Sequence, residues 1–224
     1  MVEIGPGRGA LTRELLARCG RLIAVEIDRA LCHELRATFG RRVQVVEGDF
    51  LEYPLPGVPY KVFGSVPFSR STAIVRRIDA APRPPEDAFL VLQREAAGRL
   101  AGSPYAPETR LSLLLKPRWQ VEIAGRLRRS DFDPPPSVDC VLLWLARRPR
   151  PLVEPRQVRA YREFVTRCFG RRGPGVGVDL RALLTPTQLA RASRDLRFDP
   201  RSPASQLGFD QWLGLFRLVA RWSP

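Results

Sequence analysis

The first dozen residues constrain the fold more than any other part of the sequence. A short apolar segment, Val2–Ile4, is followed by the glycine-rich residues 5–9 (GPGRG) and then by Ala10-Leu11-Thr12. This order is typical of a strand that ends in a glycine loop and opens a helix. Glycines at such a turn let backbone N–H groups approach an anionic ligand closely. The sequence therefore predicts a ligand-binding loop at its very start. In this sequence, no residues ahead of the strand are expected to close that side of the pocket.

Beyond this loop, strand and helix patterns alternate as far as about residue 147. Alternation of this kind indicates a parallel sheet covered by helices on both faces. Asp28 is suited to cap the second helix, because its side chain can accept a hydrogen bond from a free backbone N–H. Strands are predicted at residues 2–4, 21–26, 43–47, 60–64, 88–93, 119–124 and 139–146, and helices at roughly 9–18, 28–38, 70–79 and 94–101.

The last third of the sequence has a different pattern. Residues 147–155 are rich in proline and arginine, which indicates a linker. Beyond the linker, apolar residues recur at helical spacing, and Thr185-Pro186 is typical of an N-cap followed by proline at the first helical position. The sequence thus predicts one domain over residues 1–148 and a small helical domain over residues 156–224.

The charge of the chain is strongly positive. Among 224 residues, 37 are basic and 23 acidic, for a formal net charge of +14, and only Lys61 and Lys116 of the basic residues are lysines. A positive surface of this size favours polyanionic partners, nucleic acid first. A GC-rich genome also enriches arginine, so both explanations of the arginine content stay open.

Cysteine and histidine usage excludes several classes of site. Cys19, Cys32, Cys140 and Cys168 lie far apart without a C-x-x-C pair, and His33 is the only histidine. Neither a metal site nor a disulfide framework is expected. With a single histidine, a mechanism that uses histidine as a general base is not favoured. The sequence shows no signal peptide and no apolar run long enough to span a bilayer, so we expect a cytoplasmic protein without a membrane partner.

Two acidic residues follow later strands at positions suited to an adenosine pocket. Glu26 ends the second predicted strand, about 20 residues after the loop, where its carboxylate can accept hydrogen bonds from a ribose diol. Asp49 follows the third strand and can accept from the exocyclic amine of adenine. Either residue alone is equally consistent with an exposed strand end or a turn, but the pair favours a cofactor that contains adenosine.

The loop itself narrows the choice of cofactor. It departs from the G-x-G-x-x-G of dinucleotide folds, and the lysine of a P-loop is absent. The early acidic residue gives the form E-x-G-x-G-x-G, with Gly5, Gly7 and Gly9, which fits S-adenosylmethionine better. Glu3 then either orients the methionine moiety or simply stabilises the loop.

A further motif, Ser65-Val66-Pro67-Phe68, follows the fourth predicted strand, at the end where a parallel sheet presents its active site. Six segments, this motif among them, can be read together: residues 3–7 (EIGPG), 25–28 (VEID), 48–50 (GDF), 66–69 (VPFS), 93–96 (QREA) and 132–139 (FDPPPSVD). In combination they resemble the ribosomal RNA adenine-N6 dimethyltransferases over most of the chain. The resemblance implies an α/β fold, a Rossmann-like class I methyltransferase sheet, with a small all-α carboxyl-terminal domain and S-adenosylmethionine as cofactor.

That family has two main branches. One acts on 16S rRNA during subunit assembly, and the other acts on 23S rRNA and confers macrolide-lincosamide-streptogramin resistance. Residues 209–217 (FDQWLGLFR) are similar to the ending of actinomycete members of the resistance branch, so we favour N6-methylation of one adenine in 23S rRNA by a monomer. A 16S rRNA dimethyltransferase of ribosome assembly and a non-catalytic RNA-binding relative stay as alternatives.

The resemblance also assigns roles to residues. The amine of the target adenine is held by Ser65 and by the carbonyl of Val66 in a turn fixed by Pro67. Phe68 stacks on the flipped base, and Phe132 presses on it from the other side. Cofactor contacts are implied at Glu3, Gly5, Gly7, Gly9, Glu26, Ile27, Asp49, Phe50 and Ser65, and RNA contacts at Arg70, Arg126, Arg128 and Arg129.

The chain departs from the family pattern at two places. Ser65 stands where the family has asparagine, and its hydroxyl is shorter and can donate as well as accept. A slower enzyme, a bias towards monomethylation and loss of transfer with RNA binding kept are the three outcomes, and we favour the first. Family members also carry a segment ahead of the glycine loop that closes over the cofactor. We interpret its absence here as a late start or a truncation, and expect weak cofactor binding.

Overall fold

The computed structural model describes residues 1–132, 134–169 and 175–222, with the backbone but not the side chain of Phe68. Within these ranges the strands form one sheet in the order β3-β2-β1-β4-β5-β7-β6. The strands are β1 Val2–Ile4, β2 Leu22–Glu26, β3 Val43–Glu47, β4 Val62–Ser65, β5 Asp87–Gln93, β6 Trp119–Leu127 and β7 Cys140–Arg147. The α-helices are α1 Ala10–Leu16, α2 Arg29–Phe39, α3 Ser71–Asp79, α4 Arg94–Ala101, α5 Arg110–Leu115, α6 Val158–Phe169, α7 Val176–Leu180, α8 Pro186–Asp195 and α9 Phe209–Trp222.

All predicted strands are present, and their ends shift by at most three residues. The predicted helix caps are confirmed as well. Asp28 accepts hydrogen bonds from the backbone N–H groups of Ala30 at 2.7 Å and Leu31 at 3.2 Å. Thr185 caps α8 in a reciprocal capping box with Gln188. Apolar periodicity and capping residues therefore fixed the element positions locally.

One strand runs against the predicted direction. The sheet is parallel from β3 through β5, but β7 is antiparallel to β5, which corrects the prediction of a parallel sheet. Parallel neighbours need a long crossover, usually through an α-helix. Between β6 and its neighbour β7 lie only residues 128–139, whose described part holds a short 3-10 helix at Arg129–Asp131. A connection that short favours opposite directions for β6 and β7, so one of the two has to run against the parallel strands, and here β7 does.

The chain divides into two compact units. The first comprises Met1–Ala97 and Gln120–Arg147, and the second Gly98–Trp119 and Arg148–Pro224. The first unit ends at Arg147, next to the residue 148 at which we expect the first domain to end, and residues 98–119 group with the helical unit rather than with residues 1–97. The reason is packing: Leu113 lies in the core of the second unit with Tyr161, whose hydroxyl donates to the Leu113 carbonyl at 2.9 Å.

A buried ion pair ties residues 98–119 together inside the second unit. Glu108 is 2% exposed and Lys116 is 7% exposed. The Lys116 ammonium contacts the Glu108 carboxylate and donates to the Ser103 carbonyl at 3.1 Å, and the Ser112 hydroxyl donates to the other Glu108 oxygen at 2.5 Å. Buried charges are tolerated when they are paired and hydrogen-bonded in this way. In the described part of the chain, no helix has the length and apolar character needed to cross a membrane.

Candidate active site

The loop after β1 turns at three glycines, Gly5, Gly7 and Gly9, with φ angles of +60°, +58° and +82°. Residues with a side chain rarely adopt these angles. Gly9 also has no room for one, because a Cβ there would lie 2.5 Å from the ring of Phe39 in α2. At Gly7, by contrast, nothing lies within 4 Å of such a Cβ. The loop is therefore tightly bent, and its backbone borders open space at Gly7.

Glu3, in the middle of β1, is 1% exposed. One carboxylate oxygen, Oε2, accepts a hydrogen bond from the Thr12 hydroxyl at 2.8 Å, while Oε1 has no partner among the described residues. Burial raises the pKa of Glu3 from 4.5 to about 7, the Thr12 hydrogen bond opposes this shift, and the negative charge of Glu26 adds to it. A buried polar atom without a partner is costly, so Oε1 is a candidate contact for a cationic or N–H group of a ligand.

Glu26, at the end of β2, is held by three backbone N–H groups. Its Oε2 accepts from Gly7 at 3.1 Å, and its Oε1 accepts from Ile27 at 2.9 Å and Asp28 at 3.0 Å. These bonds fix the orientation of the carboxylate beside the glycine loop. A carboxylate offers about four acceptor positions, so Glu26 retains capacity for a further donor such as a hydroxyl.

Asp49 follows β3. The preceding residue, Gly48, donates its N–H to the Glu26 carbonyl at 2.8 Å, which holds this segment next to the end of β2. Its Oδ1 accepts from the Leu51 N–H at 2.9 Å, and its Oδ2 pairs with the Arg70 guanidinium at 2.7 Å. The Leu51 N–H contributes most to lowering the pKa of Asp49, partial burial opposes it, and Arg70 adds to the lowering. The carboxylate therefore stays ionised and acts as an acceptor.

Two apolar residues accompany this acidic pair, and the structure places them differently. Ile27, directly after Glu26, is 63% exposed, whereas Phe50, directly after Asp49, is buried in the core. An exposed Ile27 next to a fixed carboxylate offers an apolar surface on which a flat ring can lie. Phe50 instead belongs to the buried core and is not open to a ligand.

The predicted Ser65–Phe68 motif begins at the last residue of β4. Ser65 is exposed, and its hydroxyl makes no hydrogen bond within the described part of the chain. The next residue, Val66, has a buried side chain, and its N–H donates to the Val91 carbonyl at 3.1 Å. The chain thus leaves the sheet with Ser65 open to solvent and Val66 anchored on β5.

The rest of the motif forms a short turn. The Arg70 N–H donates to the Pro67 carbonyl at 3.0 Å, within a 3-10 helix over Phe68–Arg70. The side chain of Phe68 lies outside the described part of the structure, so the predicted stacking of Phe68 on a base stays a prediction.

The glycine loop and the motif are immediate neighbours because β1 and β4 are paired. Ile4 lies opposite Gly64, and a Cβ on Gly5 would lie 3.5 Å from the carbonyl oxygen of Ser65. Gly64 is itself required here, since a Cβ on it would lie 2.7 Å from the Cβ of Ile4. Two segments about 60 residues apart in sequence therefore meet at one edge of the sheet.

The segment that contains Phe132 leads into the same edge of the sheet. Cys140, the first residue of β7, pairs with Gln93 at the end of β5, while Ser65 pairs with Val91 on that strand. The segment that leads into β7 thus starts where β4 and β5 end. Phe132 is half-buried in this segment, and Asp133, which belongs to the same sequence motif, lies outside the described residues.

The predicted RNA-binding arginines fall into two groups. Arg126, Arg128 and Arg129 are exposed between the end of β6 and Phe132. Arg128 pairs with Asp131 at 3.4 Å and Arg129 with Asp139 at 3.1 Å. Exposed pairs of this kind contribute little, so these arginines are free to exchange partners. Arg70 differs, because it is bonded to Asp49 inside the site.

Sequence reasoning missed two residues that support the site. Thr12 donates to Glu3, and Arg77 on α3 donates to the carbonyls of Leu51 at 3.1 Å and Tyr53 at 3.0 Å. Thr12 lies three residues before Leu15 in α1. This helical spacing indicates that Thr12 faces the inner side of the helix, so its burial could have been predicted from the sequence. For Arg77 the sequence carries none, because its acceptors are backbone atoms about 25 residues away.

Comparison with known proteins agrees with this geometry. A family model described as ribosomal RNA adenine dimethylase matches residues 1–221. A Ribosomal RNA small subunit methyltransferase A from Synechococcus sp. (strain JA-3-3Ab) is 33% identical over 100% of this chain and 82% of its own. The mycinamicin-resistance protein MyrB of Micromonospora griseorubida is 34% identical over 97% of this chain and 69% of its own.

A solved structure extends the likeness to three dimensions. The crystal structure of the 23S rRNA methyltransferase ErmE superimposes with a TM-score of 0.91 at 30% identity, over 98% of this chain and 90% of that one. A match of that extent covers the glycine loop, the strand-end motif and the helical unit alike. With a family model that spans nearly its whole length and a site built at the expected strand ends, the chain belongs to the ribosomal RNA adenine dimethylase family.

Proposed function

We propose that the protein transfers methyl groups from S-adenosylmethionine to the N6 atom of one adenine in 23S rRNA, and that it thereby confers resistance to macrolide-type antibiotics. It acts as a monomer in the cytoplasm, where ribosomes are made. The observation that carries the proposal is the pairing of β1 with β4, which sets the glycine loop directly beside the Ser65 motif.

The residues around the loop fit S-adenosylmethionine. Glu26 can accept from a ribose hydroxyl, Asp49 from the adenine amine, and Ile27 offers an apolar surface to the adenine ring. The partnerless Oε1 of Glu3 suits the cationic amino group of the methionine moiety, and the open space at Gly7 leaves room for backbone contact. When bound, the cofactor supplies a methyl carbon activated by a neighbouring sulfonium.

The motif residues then prepare the acceptor. The lone pair of an adenine amine is delocalised into the ring, so acceptors on its hydrogens are needed to localise it on nitrogen. The Ser65 hydroxyl and the Val66 carbonyl supply these acceptors, while Phe68 and Phe132 hold the extruded base between them. N6 loses its proton only after it attacks, so no general base has to act first.

Two relatives bear on which RNA is modified. ErmE is a 23S rRNA methyltransferase and MyrB a resistance protein, and both support the 23S assignment. The whole-length similarity to a small subunit methyltransferase A favours 16S rRNA as the second candidate. The Arg126, Arg128 and Arg129 cluster beside Phe132 suits the phosphates of either RNA.

A methylation assay on purified RNAs tests the proposal. The protein is incubated with radiolabelled S-adenosylmethionine and either 23S or 16S rRNA, and primer extension locates the modified adenine. We expect label in 23S rRNA at one adenine and a raised inhibitory concentration of erythromycin in cells that express the protein. Label in 16S rRNA alone would establish the second candidate, and RNA binding without transfer would refute both.

The serine in the motif is tested separately with Ser65→Asn and Ser65→Ala. An amide oxygen reaches farther than a hydroxyl and binds the amine more firmly, so Ser65→Asn should raise turnover and the share of dimethyladenine. Ser65→Ala removes the side-chain acceptor and should lower turnover. Mass spectrometry of the digested RNA gives the mono- to dimethyladenine ratio, and equal rates for all three proteins would show that Ser65 does not hold the amine.

A further inference from the structure

Arg70 connects two parts of the site that lie far apart in the sequence: the Ser65–Phe68 motif and the loop that carries Asp49. It closes the 3-10 helix of the Ser65–Phe68 motif, where its N–H donates to the Pro67 carbonyl at 3.0 Å. Its side chain reaches back to Asp49, on the loop after β3, and pairs with Oδ2 at 2.7 Å. The residue therefore has its backbone in the motif for the target base and its guanidinium in the candidate adenine pocket.

The pair is part of a larger attachment. Seven residues farther on, Arg77 of α3 donates to the carbonyls of Leu51 and Tyr53. The segment over residues 49–53 is thus held by two arginines that both follow the motif in sequence. One of them binds backbone and the other binds the functional carboxylate.

The Arg70–Asp49 pair is partly withdrawn from water on the carboxylate side. The side chain of Arg70 is 42% exposed and that of Asp49 is 21% exposed. Partial removal from water strengthens a charge-assisted hydrogen bond and orients both groups. Because Oδ1 is fixed by the Leu51 N–H at 2.9 Å, the Asp49 carboxylate has bonds on both oxygens and a single defined orientation.

We propose that Arg70 is a positioning residue for the cofactor: it aims the Asp49 carboxylate at the 6-amino group of adenine and ties that contact to the turn which holds the target base. This inference rests on the proposed function, because it takes Asp49 as the acceptor for the cofactor's adenine. The inference gives Arg70 a role in cofactor binding. Its positive charge alone had suggested a contact with RNA phosphates instead.

A fixed carboxylate has a consequence for specificity. Adenine presents N–H donors at position 6, which suit an ionised acceptor. Hypoxanthine presents an oxygen there, and two acceptors facing each other are repulsive. The Arg70–Asp49 pair should therefore make the site reject an inosine analogue of the cofactor, and a loosened Asp49 should reject it less.

The experiment compares binding of S-adenosylhomocysteine and S-inosylhomocysteine by calorimetry to the full chain and its variants. The wild type is expected to prefer the adenosine compound by at least roughly 100-fold. In Arg70→Met we expect binding of S-adenosylhomocysteine to weaken roughly 10-fold, with a clear loss of preference. Arg70→Lys keeps the positive charge but lacks the planar, forked guanidinium. It should therefore restore part of the affinity for S-adenosylhomocysteine and part of the preference for it over the inosine analogue.

Arg76→Met serves as the matched control, because Arg76 is an exposed arginine on α3 and its removal changes the charge equally. It should leave both dissociation constants within twofold of wild type. Asp49→Asn combined with Arg70→Met should cost little more than Asp49→Asn alone, since Arg70 acts through the Asp49 carboxylate. Thermal unfolding of each variant shows whether it is folded. If Arg70→Met does not fold, the comparison of Arg70→Lys with wild type still tests the positioning role.

The outcomes separate this inference from the proposed function. If the wild type binds neither compound, the proposed function fails. If the wild type binds and discriminates but Arg70→Met does so equally, the positioning role is overturned while the proposed function stands. A variant with weakened rRNA binding and unchanged cofactor binding would also overturn it, and would make Arg70 a phosphate contact.

Discussion

The two units of the chain differ sharply in charge. The helical unit, residues 98–119 and 148–224, has 19 Lys and Arg against 7 Asp and Glu. The sheet unit, residues 1–97 and 120–147, has 18 against 16. The sheet unit carries the glycine loop and the motif, yet nearly the whole net charge of +14 belongs to the other unit.

The difference comes from the acidic residues. Most described arginines are exposed in both units, but the sheet unit holds 16 of the 23 acidic residues. Three of them, Glu3, Glu26 and Asp49, lie at or beside the ends of β1, β2 and β3. The excess positive charge of the helical unit favours attraction to a polyanion, whatever contacts the sheet unit makes.

The largest effect is expected from breaking the core of the helical unit. Lys116→Met leaves the Glu108 carboxylate buried without its partner, which should cost about 3–5 kcal/mol in the free energy of unfolding. Urea denaturation measures the loss, and hydrogen exchange should locate it in residues 98–119. The exposed Arg194→Met, with the same change in charge, should stay within about 0.5 kcal/mol of wild type. Equal effects of the two would mean that the buried pair is unimportant.

Phe68→Ala should affect the sheet unit's chemistry alone. Loss of stacking on the base, worth about 1–3 kcal/mol, should lower kcat/KM for methyl transfer roughly 5- to 150-fold. The dissociation constant for S-adenosylhomocysteine should change less than about threefold, because most of the expected cofactor contacts lie at the ends of β1, β2 and β3. Single-turnover methylation and calorimetry separate the two quantities, and parallel losses in both would show that Phe68 is structural.

Glu3 gives the sheet unit a pH dependence. Its folded-state pKa of about 7 lies above the ordinary 4.5, so the folded state binds more protons between these values and loses stability as the pH rises through them. Glu3→Gln should flatten this decline by roughly 2–3 kcal/mol between pH 5 and pH 8. Urea denaturation at pH 5 and pH 8 measures it, and an unchanged slope would mean that another group is responsible.

The smallest effects should come from single surface charges, and they sharpen the comparison most directly. Arg181→Gln with Arg194→Gln removes two exposed charges from the helical unit, and Arg29→Gln with Arg41→Gln removes two from the sheet unit. The first pair should weaken rRNA binding by less than about 1 kcal/mol per residue and reduce the salt dependence. If the sheet-unit pair weakens rRNA binding as much, the charge difference has no role in binding.

The sequence allowed much of this fold to be predicted, because strands, loops and caps are encoded locally. Apolar periodicity located β1 to β7, and Asp28 and Thr185 marked two helix starts. Helix α5 was missed because six residues make too short a pattern. The assignment of its segment to the helical unit depends on contacts such as Tyr161 with Leu113, 48 residues apart.

The site shows the same limit. Glu26 and Asp49 were predictable because each follows a strand, and strand ends are visible in the sequence. The bonds that orient them were not predictable. Gly7 with Glu26 depends on the pairing of β1 with β2, and Arg70 with Asp49 joins the segments after two strands that are not neighbours in the sheet. The charge of Arg70 suggested RNA, and only the three-dimensional structure revealed the carboxylate beside it.

Adjacent strands in a sheet are spaced about 4.8 Å apart by their hydrogen bonds, and the glycine loop and the motif leave the sheet from one such adjacent pair, β1 and β4. The separation between the glycine loop and the motif is therefore set by backbone geometry that no single side chain controls. Residues 54–58 lie in the connection between β3 and β4, outside the paired strands, so a change in length there leaves that separation unaltered. Surface sequence can then diverge widely while these two segments stay at the same distance from each other.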